Sequence, residues 1–302
     1  MYNGLINIYK EPGFTSFDVV AVLRGILKQK KIGHTGTLDP AAEGVLLVCL
    51  GNGTKLVDML DNKDKIYECR MLLGTETDTE DTTGKTVAQG EVTCTKEEIE
   101  EAVQSFRGNI MQIPPMYSAI KKDGKKLYEL AREGKEISRE ARPVRIYDIE
   151  IQSIDLPYVT FTVHCGKGTY VRSLCRDIGK KLGCGACMDH LKRVSVSHFT
   201  VDKSLKLSDV ERISKEGRIE DFILPVEEVF KNLDSLYVKA ESKKYIDNGN
   251  VLVPDNFENA CINPEDGRTY KVYNAEKWFV AVYRYDSSKD AYIPEKMFQR
   301  TE

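Results

Sequence analysis

Twelve consecutive residues constrain this chain more than any others: Gly33-His34-Thr35-Gly36-Thr37-Leu38-Asp39-Pro40-Ala41-Ala42-Glu43-Gly44. Three glycines and a proline in that span are incompatible with the interior of a regular helix or strand. A basic amphipathic helix pattern precedes the stretch. The apolar run Val45-Leu46-Leu47-Val48-Cys49-Leu50, which reads as a buried strand, follows it. The segment is therefore a shaped loop anchored by the core at both ends. Asp39 sits in it between Leu38 and Pro40, and the proline biases Asp39 away from the helical region. A carboxylate on a rigid loop against apolar neighbours is a candidate nucleophile or base. The plainer reading is a helix cap, since Asp followed by Pro is a common helix start.

With 302 residues the chain can hold one large domain and a small one, and 41% hydrophobic residues support a full core. The net charge of −3 does not point to a nucleic-acid partner, but the charge is uneven. Lys121 to Arg145 carries nine basic residues against five acidic, and Cys165 to Arg193 carries seven against two. Thr75 to Glu101 carries two against nine. Local basic faces can track phosphates on an acidic protein. No apolar run approaches the roughly 18 residues of a membrane span. The opening residues lack a signal-peptide pattern, and the eight cysteines read as reduced, buried thiols, so a cytoplasmic protein is expected.

Gly4 to Tyr9 reads as a strand, turned by Lys10-Glu11-Pro12-Gly13 into a helix capped by Thr15 or Ser16. Thr54 is expected to cap a short helix through Leu60, and Lys65 to Leu73 alternates as a strand containing Tyr67. Thr75 to Thr83 reads as an acidic, solvated turn without the spacing of a calcium loop. Thr95 with Glu98 forms a capping box. Pro114-Pro115 blocks a helix, and Asp123-Gly124 marks a hairpin among interleaved lysines and tyrosines. Val144–Ser153 and Val159–Cys165 are strands that lead to a helix starting near Thr169. Cys184, Cys187 and His190 lack the second ligand pair of a zinc site, so no metal is expected. Ser208 with Glu211 opens a further helix, and from Leu233 the pattern shifts to short β runs.

The loop Gly-His-Thr-Gly-Thr-Leu-Asp-Pro, followed by an apolar strand, resembles the signature of the TruB family of tRNA pseudouridine synthases. Two further stretches agree. Lys10, Gly13, Thr15 and Ser16 match the family's opening motif, with Glu11 where a proline is usual. Gly168-Thr169-Tyr170-Val171-Arg172, with Asp177-Ile178-Gly179 after it, matches the third. A fourth motif departs: Arg193 and Phe199 are present, but Ser197 stands where glycine is usual, which predicts a local backbone change.

The resemblance implies an α+β pseudouridine synthase fold, with a central mixed or antiparallel sheet flanked by helices. It places the catalytic domain at residues 1–232, with an RNA-gripping insertion at about 109–145. Residues 233–302 are then a small PUA-like β-barrel that binds RNA. Asp39 is the implied catalytic residue, Tyr67 the active-site tyrosine and Arg172 the partner of Asp39. RNA contacts are implied at His34, Lys10, Lys121, Lys122, Lys125, Tyr170 and Arg193. The implied partner is the T arm of tRNA, with no protein partner and a monomeric protein. Isomerising uridine transfers no electron and no external group, so no cofactor is needed. Two rivals are a non-catalytic tRNA-binding or folding protein and a carboxylate-dependent hydrolase. The hydrolase would need a second positioned carboxyl as acid, and Glu43 is the nearest in sequence.

Overall fold

A computed structural model describes the chain except residues 62, 119, 123, 136, 261–263 and 299–302, together with the side chains of residues 61, 122 and 132. Strand β1 (Gly4–Lys10) alternates Ile6 and Ile8 toward one face, and Leu5 and Tyr9 toward the other. Thr15 caps α1 (Ser16–Leu27) in a reciprocal box with Asp18. The chain returns through β2 (Ile32–His34) and the loop to β3 (Glu43–Leu50). The glycine-rich stretch thus begins as a short strand, because Gly33 and His34 pair with Cys49 and Val48 before the turn.

Asn52 and Thr54 lie in a 3-10 turn that begins at Gly51 and runs into α2 (Val57–Asp61), so Thr54 is not the helix cap expected. Next come β4 (Lys65–Leu73), the ribbon β5 (Thr75–Thr77) with β6 (Thr86–Gln89), and α3 (Lys96–Gln104), which has the Thr95–Glu98 box. Strand β7 (Gly108–Gln112) precedes the expected hairpin, β8 (Lys121–Lys122) with β9 (Lys125–Lys126), and the short α4 (Leu127–Arg132). Asp123 of that turn lies outside the described residues. Strands β10 (Arg142–Asp155) and β11 (Tyr158–Cys165) lead to α5 (Val171–Leu182), β12 (Ala186–Val196) and β13 (Phe199–Thr200). Helix α6 (Leu207–Lys215) begins after Lys206, not at a Ser208 cap.

The central sheet runs β1-β3-β12-β4-β11-β10-β7, with β2 and β13 at its margins. All its pairs are antiparallel except β12 with β3. Helices α1 and α6 cover Ile6, Ile8, Leu46 and Val48 on one face, and α3 and α5 cover Tyr67, Cys69 and Met71 farther along. The opposite face under Leu5, Val45, Leu47 and Cys49 meets Phe230, Val282 and Phe298. Strand β3 is thereby buried on both sides, which suits its unbroken apolar run. Each such side chain contributes about 1.5–3 kcal/mol.

The C-terminal portion holds α7 (Lys243–Asp247) and a separate sheet of β14 (Ser235–Tyr237), β15 (Thr269–Tyr273), β16 (Phe279–Asp286) and β17 (Ala291–Met297). Its order is β14-β15-β16-β17, with β14 and β17 at opposite edges. Among the described residues the expected barrel is not closed by regular strands; single bridges, Val238 with Phe257 and Leu252 with Tyr292, tie the segment between β14 and β15 to both edges. One of the sheet's faces packs against the central sheet through Val282 and Phe279, so that face is closed by packing.

Candidate active site

The loop between β2 and β3 is held from several sides before any catalytic group is considered. Thr35 N–H donates to Leu47 O at 3.0 Å. Ser16, the first residue of α1, accepts from Leu38 N–H at 2.9 Å and donates to Leu38 O at 3.2 Å. Lys10 Nζ donates to Ala42 O at 2.5 Å and to Pro40 O at 3.1 Å. Arg193 Nη2 donates to Gly36 O at 2.9 Å and its Nε to Val45 O at 2.7 Å. Leu38 and Ala42 join the apolar cluster beneath. No helix starts at Pro40. Ala42 N–H instead bonds Asp39 O at 3.1 Å in a tight turn, which leaves the Asp39 carboxyl free to reach elsewhere.

That carboxyl meets Arg172. Nε lies 2.9 Å from Oδ2, and Nη2 donates to Oδ1 at 3.2 Å. The Arg172 side chain is 6% exposed and the Asp39 side chain 38%, so the pair is anchored on the arginine side and open on the acid side. Nη2 also donates to Tyr117 O at 2.9 Å and Nη1 to Thr79 O at 3.0 Å, with Asp81 Oδ2 3.8 Å away. An arginine in the first turn of α5 opposes the helix dipole, and two carboxylates offset that cost. Partial burial raises the Asp39 carboxyl above its usual range, and the Arg172 charge opposes the rise.

Tyr67 is buried on the same face as Leu38 and lies opposite Arg193 across β4 and β12. Burial raises its phenol, the Arg193 charge pulls it back, and the Asp39 charge pushes it up again. At neutral pH Tyr67 is therefore a neutral donor in reach of the field of Asp39.

Of the residues expected at RNA, His34 is half-buried at the end of β2, one residue before the loop turns. Tyr170 occupies the cap position of α5 and exchanges bonds with Gln112, its N–H to Oε1 at 2.8 Å and its C=O from Nε2 at 3.1 Å. Lys121 and Lys125 are exposed on the hairpin, and the Lys122 side chain lies outside the described residues. Lys10 and Arg193 correct the expectation. Both are fully buried and hold backbone carbonyls of the loop, Pro40 and Ala42 for Lys10 and Gly36 for Arg193, so they act as braces and not as surface cations. Burial lowers the Lys10 ammonium to about 8.

The acidic turn after β5 is the larger correction. Glu80 and Asp81 are buried, not solvated. Glu80 accepts from Ser173 Oγ at 2.6 Å and pairs with Arg176, both on α5. Asp81 bonds Thr79 and Thr83 through Oδ1 and faces Arg172 through Oδ2. Nothing in the composition separates these two carboxylates from their neighbours, because what buries them is α5, nearly a hundred residues away in sequence. Cys184, Cys187 and His190 do not converge: Cys187 is buried, and His190 pairs with Glu43. Among the described residues no cluster of His, Cys, Asp and Glu suits a metal ion.

Comparison with known proteins agrees with this arrangement. The family model for the TruB family pseudouridylate synthase N-terminal domain matches residues 24–171, and that for the tRNA pseudouridylate synthase B C-terminal domain matches 172–231. A tRNA pseudouridine synthase B of Lachnoclostridium phytofermentans is 50% identical over 98% of this chain and 99% of its own. One of Clostridium acetobutylicum is 47% identical over 93% and 94%. Among solved structures, an H/ACA RNP bound to a substrate RNA containing 2′-deoxyuridine aligns at 25% identity and a TM-score of 0.73. It covers 98% of this chain and 85% of that one. An archaeal box H/ACA sRNP Nop10-Cbf5 complex aligns at 27% and 0.72, covering 98% and 86%. With a near full-length relative at half identity and the Asp39–Arg172 pair seated on the matching loop and helix, the chain belongs to the TruB family of pseudouridylate synthases.

Proposed function

We propose that this protein isomerises uridine to pseudouridine in tRNA, at uridine 55 of the T loop. The observation that carries the reading is the half-open Asp39–Arg172 pair, with a buried guanidinium aiming an accessible carboxylate. The names of the relatives support tRNA as the substrate. The glycosidic C–N bond breaks and a C–C bond forms to the same base, so the reaction balances without a co-reactant. The target uridine leaves the stack at a cost of a few kcal/mol. Asp39 acts as nucleophile or base on the swung-out nucleotide, aimed by Arg172. Tyr67 stacks on the uracil and relays a proton late in the reaction. His34 occupies the space the nucleotide leaves.

In the same reading, the hairpin of Lys121 and Lys125 grips the T-arm phosphates, and Tyr170 lines the approach. Residues 233–302, built on the four-stranded sheet β14-β15-β16-β17, form a second RNA-binding unit beside the catalytic domain of residues 1–232. The protein works alone, as a cytoplasmic monomer. Support for a reducing compartment comes from the free thiols of the seven described cysteines. The rival hydrolase needs a second acid presented to substrate; Glu43 is committed to Tyr9 and His190, and Asp81 is buried against Thr79, Thr83 and Arg172.

Release of tritium from uracil C5 of an unmodified tRNA transcript tests the function, with pseudouridine mapped in the product. One equivalent per tRNA from the T loop is expected, and Asp39→Asn abolishes release while tRNA binding persists. Release that survives in Asp39→Asn, or modification absent from position 55, overturns the assignment.

A further inference from the structure

The exit of the catalytic loop is clamped from both faces of the sheet by consecutive residues of β1. Tyr9 and Lys10 point to opposite faces, as neighbours on a strand must. From one face, Lys10 Nζ holds Pro40 O and Ala42 O. From the other, Tyr9 donates its hydroxyl to Glu43 Oε2 at 2.6 Å. The second oxygen of the same carboxylate, Oε1, lies 3.1 Å from His190 Nε2 on β12. Glu43 is the first residue of β3, between its two sheet neighbours β1 and β12. It lies four residues after Asp39, and its side chain is 19% exposed.

We infer that Glu43 is a positioning residue. Its carboxylate, spanning Tyr9 and His190, ties β1, β3 and β12 together at the loop exit and so fixes the aim of Asp39. The inference deepens the isomerase reading and rests on it. The charged groups around the tether are largely paired with one another. Lys206 sits 6.0 Å over the Tyr9 ring and 3.7 Å from Glu11. On β4, Arg70 lies across from His190 and is paired with Asp189, and Glu68 faces Lys192. Burial and the Glu43 carboxylate both raise the Tyr9 phenol, which keeps it a donor. Glu43 is held by Tyr9 and His190, so it acts on the reaction through the backbone of Pro40 to Ala42 and through the charge of Lys10, which both Glu43 and Asp39 feel.

The test compares Glu43→Ala, Glu43→Gln and Tyr9→Phe with the wild-type protein. Three readouts are used: single-turnover tritium release, tRNA Kd, and hydrogen exchange over residues 36–44. Small misplacements of a reacting group are costly, so Glu43→Ala is expected to slow the single-turnover rate about tenfold. Its Kd should stay within about twofold, because the RNA-facing surface is untouched. Glu43→Gln recovers most of the rate, since its amide oxygen still accepts from Tyr9. Tyr9→Phe loses less than Glu43→Ala and guards against a folding artefact. Exchange over the loop rises in Glu43→Ala. A Glu43→Ala protein with wild-type rate and exchange, or one whose rate falls only with its Kd, overturns the inference. If the wild-type protein releases no tritium, the isomerase reading fails instead, and the exchange data alone then decide whether Glu43 holds the loop.

Discussion

Gly44 lies so close to Arg193 that a Cβ on it would fall 2.2 Å from the Arg193 carbonyl oxygen. The two residues are partners in the parallel pairing of β3 with β12. Gly44 has φ of +105°, which a side chain rarely tolerates. The contact brings Arg193 to the carbonyls of Gly36 and Val45, and hence to the loop that carries Asp39. Gly44→Ala combines backbone strain with a backbone clash and is expected to cost about 3 kcal/mol. Urea unfolding followed by circular dichroism checks this, and an unchanged midpoint would refute it.

Asp39 is expected to trade stability for reactivity. Its folded carboxyl titrates above the ordinary value because burial outweighs Arg172. Between the unfolded and the folded value, the native state therefore binds more protons than the unfolded chain. Stability attributable to this group is present below that window and declines as pH rises through it. At neutral pH, Asp39→Asn removes the cost of holding a charge there. It should unfold no earlier than the wild-type protein in a thermal melt, while its turnover is lost.

Asp81 raises the Asp39 carboxyl by like-charge repulsion and also faces the guanidinium that stabilises it. In Asp81→Asn both effects move the acid limb the same way. The acidic limb of the single-turnover pH profile should shift to lower pH, since Asp39 then ionises more readily. A shift to higher pH, or none, would show that Asp81 does not act on Asp39 electrostatically.

Glu80 fastens the turn after β5 to the first two turns of α5 through Ser173 and Arg176. Glu80→Ala leaves a buried hydroxyl and part of a guanidinium unmatched, an expected loss of about 2 kcal/mol. Because Thr79 on the same turn accepts from Arg172, activity should fall further than stability alone explains. Denaturant midpoints paired with single-turnover rates separate the two.

Ser197 occupies the left-handed region at φ of +52°, where the related motif carries glycine. The serine takes the left-handed conformation that glycine adopts most easily, with its N–H on Asp64 O at 3.0 Å. A left-handed non-glycine residue costs roughly 1–2 kcal/mol, against about 0.5–1 kcal/mol for the entropy of glycine. Ser197→Gly should therefore raise stability by up to about 1 kcal/mol without altering turnover. A lower melting temperature would contradict it.

Local chemistry made much of this protein legible in its sequence. The helix start at Thr15 or Ser16, the capping box at Thr95–Glu98, the alternation of β4, the unbroken apolar run of β3 and the loop bearing Asp39 all depend on residues a few positions apart. The pairing of Asp39 with Arg172 was legible because each sits in a recognisable motif. Tertiary structure alone decided which charges are buried. Lys10 and Arg193 look like surface cations in a linear reading, yet the fold turns them inward onto carbonyls of the loop. Glu80 and Asp81 look solvated until α5, nearly a hundred residues later, packs over them. Phe279 and Val282 of the C-terminal sheet find their cover beneath Leu5, Val45 and Leu47 of the central sheet, more than two hundred residues earlier. The physical reason is the same in each case. Turn and helix signals are short-range, whereas desolvation of a charge is set by whatever distant segment comes to rest on it.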